Sequence, residues 1–249
     1  MGYRISITVM KFDAAANEIH VWQAKLNQPD DRIAKYLESL APEERQRAGQ
    51  FLFDIHKRRF ISARGILRNI LSRYLDTDPA RIRLAYEAKG KPYLLDAGAR
   101  NIQFNLSHSD DFVLYAIAPG NHVGIDLEVM RPVHDMEDVA KHSFSPNEYA
   151  ALQRMPDDEK LAAFFNCWTR KEAYIKALGH GLSMPLDSFD VSLEPSEQSR
   201  LLHSFVRSQN DLSCSSSWSI YHWKPTPHSV AALASAAPAH DILLRDWVD

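Results

Sequence analysis

Cysteine is nearly missing from this chain. The two present, Cys167 and Cys214, show neither CxxC nor Cys/His ligand spacing, which argues against a disulfide framework and a structural zinc site. No secretory signal pattern opens the sequence, so a reduced, cytoplasmic setting is expected. No apolar run approaches the ~18 residues that a membrane helix needs. The opening Met1-Gly2-Tyr3-Arg4-Ile5-Ser6 formally fits a myristoylation pattern, but Tyr3–Met10 reads directly as a strand. Charge of one sign does not dominate either: 29 Lys and Arg face 32 Asp and Glu, for a net charge of −3. That balance argues against a dedicated nucleic-acid binder and leaves room for a small anionic ligand on a local basic patch. The phosphate-binding P-loop, Gly-x-Gly-x-x-Gly, the Gly-x-Ser-x-Gly elbow and His-Glu-x-x-His are all absent.

What remains is the composition of a soluble globular protein, 45% hydrophobic and 24% charged over 249 residues, enough for one large domain or two moderate ones. Strands are expected at Tyr3–Met10 and Glu18–Leu26. Helices are expected at Asp30–Leu40, Pro42–Gln50 and Ile55–Tyr74. A strand at Arg81–Tyr86, a Lys-Gly-Lys-Pro turn, and strands at Gln103–Ser107 and Phe112–Ala118 follow. Pro119-Gly120-Asn121 is the clearest break, dividing the chain into 1–119 and 120–249. The second part starts with a strand, His122–Val129, and continues with helices at Asp135–Lys141, Pro146–Met155 and Glu159–Leu178. Strands at Phe189–Leu193, His203–Val206, Trp218–Trp223 and Ser229–Ala234 complete it. Each part has one long helix and a group of strands, which predicts an α+β fold of two similar subdomains.

Glu172 stands out. Over Leu161–Leu178, a 100° step per residue gathers Leu161, Phe164, Phe165, Trp168 and Ile175 into one apolar arc, and Glu172 falls inside it with Lys176 at its edge. A carboxylate there is costly without a compensating cation or donor. An i,i+4 pair with Lys176 explains the pairing but not the position. In Val123–Val129 the apolar residues alternate with Gly124, Asp126 and Glu128, which puts two carboxylates about 7 Å apart on one strand face. An exposed polar face would accommodate them alone. Taken with Glu172, three acids are satisfied together by one hard cation, Mg²⁺ or Mn²⁺. Such an ion usually completes its shell with substrate phosphates. Candidate phosphate binders are Lys89-Gly90-Lys91-Pro92, Asn105-Leu106-Ser107-His108-Ser109, and the shared helix face of Lys57, Arg64 and Arg68. Each has an ordinary alternative: a common turn, local capping, a solvated helix face.

Five segments in order are similar to the signature of 4′-phosphopantetheinyl transferases: Gly90-Lys91-Pro92, Phe104–Ser109, Gly124–Glu128, Phe144–Tyr149 and Phe165–Leu182. Pro42–Arg47 resembles the first basic segment of the long, monomeric Sfp-type branch. The resemblance spans about residues 40–195. It implies two α+β subdomains in a pseudo-twofold arrangement, with coenzyme A in the cleft between them. It further implies Asp126, Glu128 and Glu172 as Mg²⁺ ligands, Lys176 and His108 on the pyrophosphate, and Arg47, Lys89, Gly90, Lys91, Asn105 and Ser107 on the nucleotide end. The catalytic residues would be Glu172, Lys176 and His108. The implied partner is an acyl or peptidyl carrier protein of fatty acid, polyketide or nonribosomal peptide synthesis, meeting the chain near Arg131–Phe144. No nucleic acid or membrane partner is expected. Two other readings stay open: a different Mg²⁺-dependent phosphoryl or nucleotidyl transferase, and a non-catalytic carrier-binding protein.

Overall fold

The computed structural model describes residues 18–95, 102–179, 184–193, 207–208, 218–236 and 241–248. The strands expected at Tyr3–Met10 and His203–Val206, Cys214, and the His180-Gly181-Leu182 end of the last signature segment lie outside the described residues.

The first half runs β1 (Glu18–Lys25), α1 (Asp30–Ser39), α2 (Pro42–Gly49), α3 (Asp54–Leu75), β2 (Leu84–Tyr86), β3 (Pro92–Leu94), β4 (Ile102–Ser109) and β5 (Phe112–Pro119). The second runs β6 (Val123–Val129), α4 (Met136–Ser143), α5 (Pro146–Arg154), α6 (Asp157–Leu178), β7 (Phe189–Asp190), β8 (Arg207–Ser208), β9 (Ser219–Trp223), β10 (Ser229–Ser235) and β11 (Asp241–Asp246). The mixture is α+β. Among the described residues no helix is long and apolar enough to cross a membrane.

Two sheets form the centre: a four-stranded one ordered β11-β1-β5-β4 and a three-stranded one ordered β6-β10-β9. Strand alternation decides how they stack. On β5, Val113, Tyr115 and Ile117 join the core beneath α3, while Leu114, Ala116 and Ala118 face the second sheet. On β6, Val123, Ile125 and Leu127 enter that same middle core, which turns Gly124, Asp126 and Glu128 toward α6. The layers are therefore helices, sheet, sheet, helix. The pair of acids on β6 faces a helix rather than solvent.

The long helices differ in how they pack. Tyr115 in β5 donates its hydroxyl to the carbonyl of Ala63 in α3 at 2.8 Å. The second sheet meets α6 through small residues, Ala232 and Ala234 of β10 and Ala173 and Ala177 of the helix. Gly124 is required there, because a Cβ on it would lie 2.1 Å from the Ala173 carbonyl oxygen and 2.3 Å from the Ala177 nitrogen. The helix ends at Gly179, whose φ of 74° suits a residue without a Cβ.

Some expectations need correction. Arg68 does not share a ligand-binding face with Lys57 and Arg64. It is 1% exposed, holds Glu44 at 2.7 Å and donates to the carbonyls of Pro79 and Ile82. The apolar arc of α6 understates its burial, since Asn166, Thr169, Arg170 and Lys171 are buried too. β3 and β11 arise where no strand was expected, both being short edge strands.

Candidate active site

A seam between the sheets builds the site. β4 and β6 lie side by side without being neighbours in a backbone ladder, and polar side chains at alternate positions of β4 bridge the gap. Asn105 accepts the Ile125 N–H through Oδ1 at 2.9 Å. Ser107 donates to Asp126 Oδ1 at 2.9 Å. Ser109 donates to Glu128 Oε2 at 2.9 Å and accepts the Val129 N–H at 3.1 Å. Short hydroxyl and amide side chains at a two-residue period are what such a seam requires, because each must reach a neighbour that offers no ladder partner.

Helix α6 closes the site from the other side. The Lys176 ammonium reaches Asp126 Oδ1 at 2.5 Å and Ser107 Oγ at 3.1 Å. Asp126 is only 3% exposed, and its other oxygen, Oδ2, is buried with no hydrogen-bond partner. A bare buried carboxylate oxygen is costly. Glu172 lies one turn before Lys176, between Trp168 and Ile175 along the same helix. A pocket of 350 Å³ is lined by Leu106, Ser107, His108, Asp126, Glu128, Trp168, Glu172 and Lys176. It shares Leu106, Glu172 and Lys176 with a second pocket of 540 Å³, lined also by Lys89, Gly90, Lys91 and Asn105.

The electrostatics follow from crowding. Burial raises the Glu128 carboxyl above its ordinary value, and the neighbouring Asp126 charge raises it further. Burial likewise raises Glu172; Lys176 opposes the shift, while Asp126 and Glu128 add to it. The His108 imidazole, open to solvent at its edge, is held below its usual value by desolvation and then by the charges of Lys176, Arg59 and Arg64. The pocket thus crowds three acids, two from β6 and one from α6, around the single ammonium of Lys176.

Most of the expected site residues line these pockets, though not all in the same way. Lys91 spends two of its three donors on the carbonyls of Val123 and Ala177, at 3.3 and 3.1 Å. Asn105 lines the larger pocket while its oxygen serves the seam. Gly90, at φ 85°, makes the tight turn between β2 and β3 that presents Lys89. Arg47 lines neither pocket; it sits over the Phe60 ring, 5.6 Å from its centroid. Arg64 shares that ring at 5.7 Å and lies 5.6 Å from the Tyr86 centroid. Among the described residues, no group of three or more His, Cys, Asp or Glu is arranged as a ready ligand set. Arg59 was missed in the sequence, where it follows Lys57 and Arg58 and nothing in the run marks one cation as turned inward. Its Nε and the Nη1 of Arg64 are buried without partners, which makes the pair anion receptors in waiting. A cavity of 670 Å³ between α1 and α3 has walls of mixed charge and lies apart from these groups.

The sequence is similar to those of known proteins. The model of the 4′-phosphopantetheinyl transferase superfamily matches residues 122–234, and that of the 4′-phosphopantetheinyl transferase N-terminal domain matches residues 22–120. The chain is 39% identical over 222 residues to the 4′-phosphopantetheinyl transferase HetI of a Nostoc species, covering 89% of each chain. It is 33% identical over 164 residues to the 4′-phosphopantetheinyl transferase Sfp of Bacillus subtilis, covering 66% of this chain and 71% of that one. A human relative, L-aminoadipate-semialdehyde dehydrogenase-phosphopantetheinyl transferase, is 31% identical over 166 residues. With two family models side by side and a relative matched along nearly its whole length, the chain belongs to the 4′-phosphopantetheinyl transferase superfamily.

Proposed function

We propose that this chain moves the 4′-phosphopantetheine group of coenzyme A onto a serine of an acyl or peptidyl carrier protein in a Mg²⁺-dependent reaction, acting as a cytoplasmic monomer whose two units are 1–119 and 120–249. The observation that carries the reading is the buried Asp126 carboxylate. One oxygen is held by Lys176 and Ser107, the other has no partner, and Glu128 and Glu172 crowd the same pocket.

These residues fit a hard divalent cation, being oxygen donors only with one buried oxygen unsatisfied. Asp126, Glu128 and Glu172 would hold Mg²⁺, with Mn²⁺ as a substitute, and the bound ion would supply positive charge against the pyrophosphate oxygens. Lys176 and His108 bind the pyrophosphate by directed hydrogen bonds. Lys89, the free donor of Lys91, and Ser107 hold the nucleotide end, with the backbone of Gly90 shaping the wall. Asn105 positions the strand beneath it. Arg47, with Arg59 and Arg64, extends the cationic wall past Phe60. In the reaction the carrier serine oxygen forms a bond to the phosphorus of the phosphopantetheine arm. The bond from that phosphorus to the leaving 3′,5′-ADP breaks, and the serine proton passes to Glu172.

Mass spectrometry of an apo carrier protein incubated with coenzyme A, Mg²⁺ and this chain tests the reading. The serine should gain the phosphopantetheine mass, and chelation with EDTA should stop the gain. An unmodified carrier across fatty acid, polyketide and peptide carriers refutes the activity, and gain that persists under chelation refutes the metal.

A further inference from the structure

Two hydroxyls of β4 face the two acids of β6 in step. Ser107 donates to Asp126 Oδ1 and Ser109 to Glu128 Oε2, each at 2.9 Å, so each bond takes one carboxylate oxygen and leaves the other. Beyond that the acids are held unequally. Asp126 is short, 3% exposed and gripped also by Lys176. Glu128 is half-buried, and among the described residues the bond from Ser109 is the one hydrogen bond that fixes its side chain. A glutamate has one more torsion than an aspartate and loses more freedom when it is fixed. It also has a rival partner, since Arg131, three residues on, is near enough for its charge to act on the carboxylate.

Ser109 is built to hold it. It ends β4, paired with Phe112 across the two-residue turn Asp110-Asp111. Asp110 takes the left-handed φ of 51° that such tight turns use, and the Asp111 carbonyl accepts the Leu26 N–H at 2.7 Å, which ties the turn to the chain leaving β1. The Ser109 oxygen accepts the Val129 N–H at 3.1 Å while its proton goes to Glu128. A hydroxyl engaged as acceptor from one side has few directions left for its proton. The backbone of the strand that carries Glu128 therefore aims the hydroxyl that holds Glu128. Ser109 itself lines neither pocket, whereas Glu128 lines the smaller one.

We infer that Ser109 is a positioning residue, which holds Glu128 against the pocket by one oxygen and thereby sets the affinity of the acids for a divalent cation. The inference rests on the metal site of the transferase reading. Carboxylates that bind metal ions are themselves oriented by hydrogen bonds from behind, and losing such a bond weakens binding substantially.

Calorimetric titration of the full chain with Mn²⁺, without coenzyme A or carrier, tests it. Ser109→Ala should raise the Mn²⁺ Kd by about tenfold to a hundredfold, whereas Ser109→Thr, which keeps the hydroxyl, should stay within a few fold of wild type. In the transfer assay Ser109→Ala should raise the Mg²⁺ concentration for half-maximal rate by a similar factor. Excess Mg²⁺ should then restore kcat, a recovery that a merely structural lesion would not show. Circular dichroism confirms that each variant is folded. If the wild type binds no Mn²⁺, the metal site fails and the inference with it. If the wild type binds and folded Ser109→Ala keeps its Kd within about twofold, Ser109 only fastens β4 to β6, and the inference is overturned while the metal site stands. A folded Ser109→Thr as weak as Ser109→Ala would show that the hydroxyl is not what matters and overturn it equally. The expected pattern of Mn²⁺ affinities in a chain that transfers nothing would refute the transferase reading and leave the role of Ser109 intact.

Discussion

Each half of the molecule buries a cation–carboxylate pair on its 22-residue helix, and both fasten elements in the core, although only the second satisfies both oxygens of its acid, Glu44 Oε1 being buried without a hydrogen-bond partner. In the first, Arg68 of α3 meets Glu44 at 2.7 Å with side chains 1% and 6% exposed. In the second, Lys171 of α6 meets Glu148 at 2.7 Å with side chains 0% and 2% exposed. Glu148 also accepts the N–H groups of Ser145 and Val191, and Lys171 donates to the carbonyls of Leu186 and Phe189. Five residues further along α6, Lys176 pairs with Asp126 quite differently. The lysine is 29% exposed, and the acid, bare at one oxygen as Glu44 is, opens on a pocket that Glu128 and Glu172 also line. A pair sealed in the core fastens elements together; one that opens on a pocket also has room to take a ligand. One helix therefore carries both a fastener and a working site, separated by little more than a turn.

The comparison breaks most sharply at the open pair. Glu172→Gln and Asp126→Asn should each lower transfer by about 1,000-fold while moving the melting temperature by only a few degrees. Turnover near wild type in either variant would remove that residue from the site. Opening the closed pair should do the reverse. Lys171→Met leaves Glu148 buried without its cation and should cost about 3–5 kcal/mol of stability, read from urea unfolding. A loss below 1 kcal/mol would mean that the backbone donors alone satisfy Glu148.

Two glycines sharpen the contrast. A Cβ on Gly65 of α3 would lie 2.3 Å from the Tyr36 Cβ, and one on Gly124 would strike the backbone of α6. Each substitution to alanine should cost about 1–3 kcal/mol through overpacking. Only Gly124→Ala should also lower kcat, because the helix it displaces carries Glu172 and Lys176. Equal kcat in both variants would show that the site tolerates movement of α6.

The smallest effect concerns pH. His222 in β9 is buried with Nε2 unpartnered, and desolvation, followed by the charge of Arg170, lowers its pKa to about 3. The unfolded chain takes up a proton below about pH 6.5 that the folded one refuses, so stability falls as pH drops from there toward 3. The slope should approach, at most, about 1.4 kcal/mol per pH unit. His222→Gln should flatten it between pH 6 and 4.5. Urea midpoints that depend on pH identically in the two proteins would show that His222 is protonated in the fold.

Legibility in the sequence followed periodicity. The alternation of Val123–Val129 and the helical phase of Glu172 were readable because each element repeats long enough to assign a face. Both led to the pocket in which Asp126, Glu128, Glu172 and Lys176 meet. The α+β character and the long helices were readable for the same reason. Burial of charge was not. Arg170 and Lys171 look like surface residues until Glu148, 23 positions upstream in the sequence, is folded against the helix. Arg59 could not be told from Lys57 and Arg58, since inward direction comes from packing rather than from residue type. β11 escaped because an edge strand is half exposed, with the pattern of a loop, and its strand character comes from pairing with β1.

That pairing has a consequence for the making of the protein. β11 joins β1 in parallel, Glu18 opposite Asp241 through Gln23 opposite Asp246, so the first sheet receives its outer strand from the far end of the chain. While the polypeptide emerges from the ribosome, β1 shows an open edge until the chain through Asp246 has been synthesised, a ready template for pairing with another nascent chain. Pairing with β11 is what seals it.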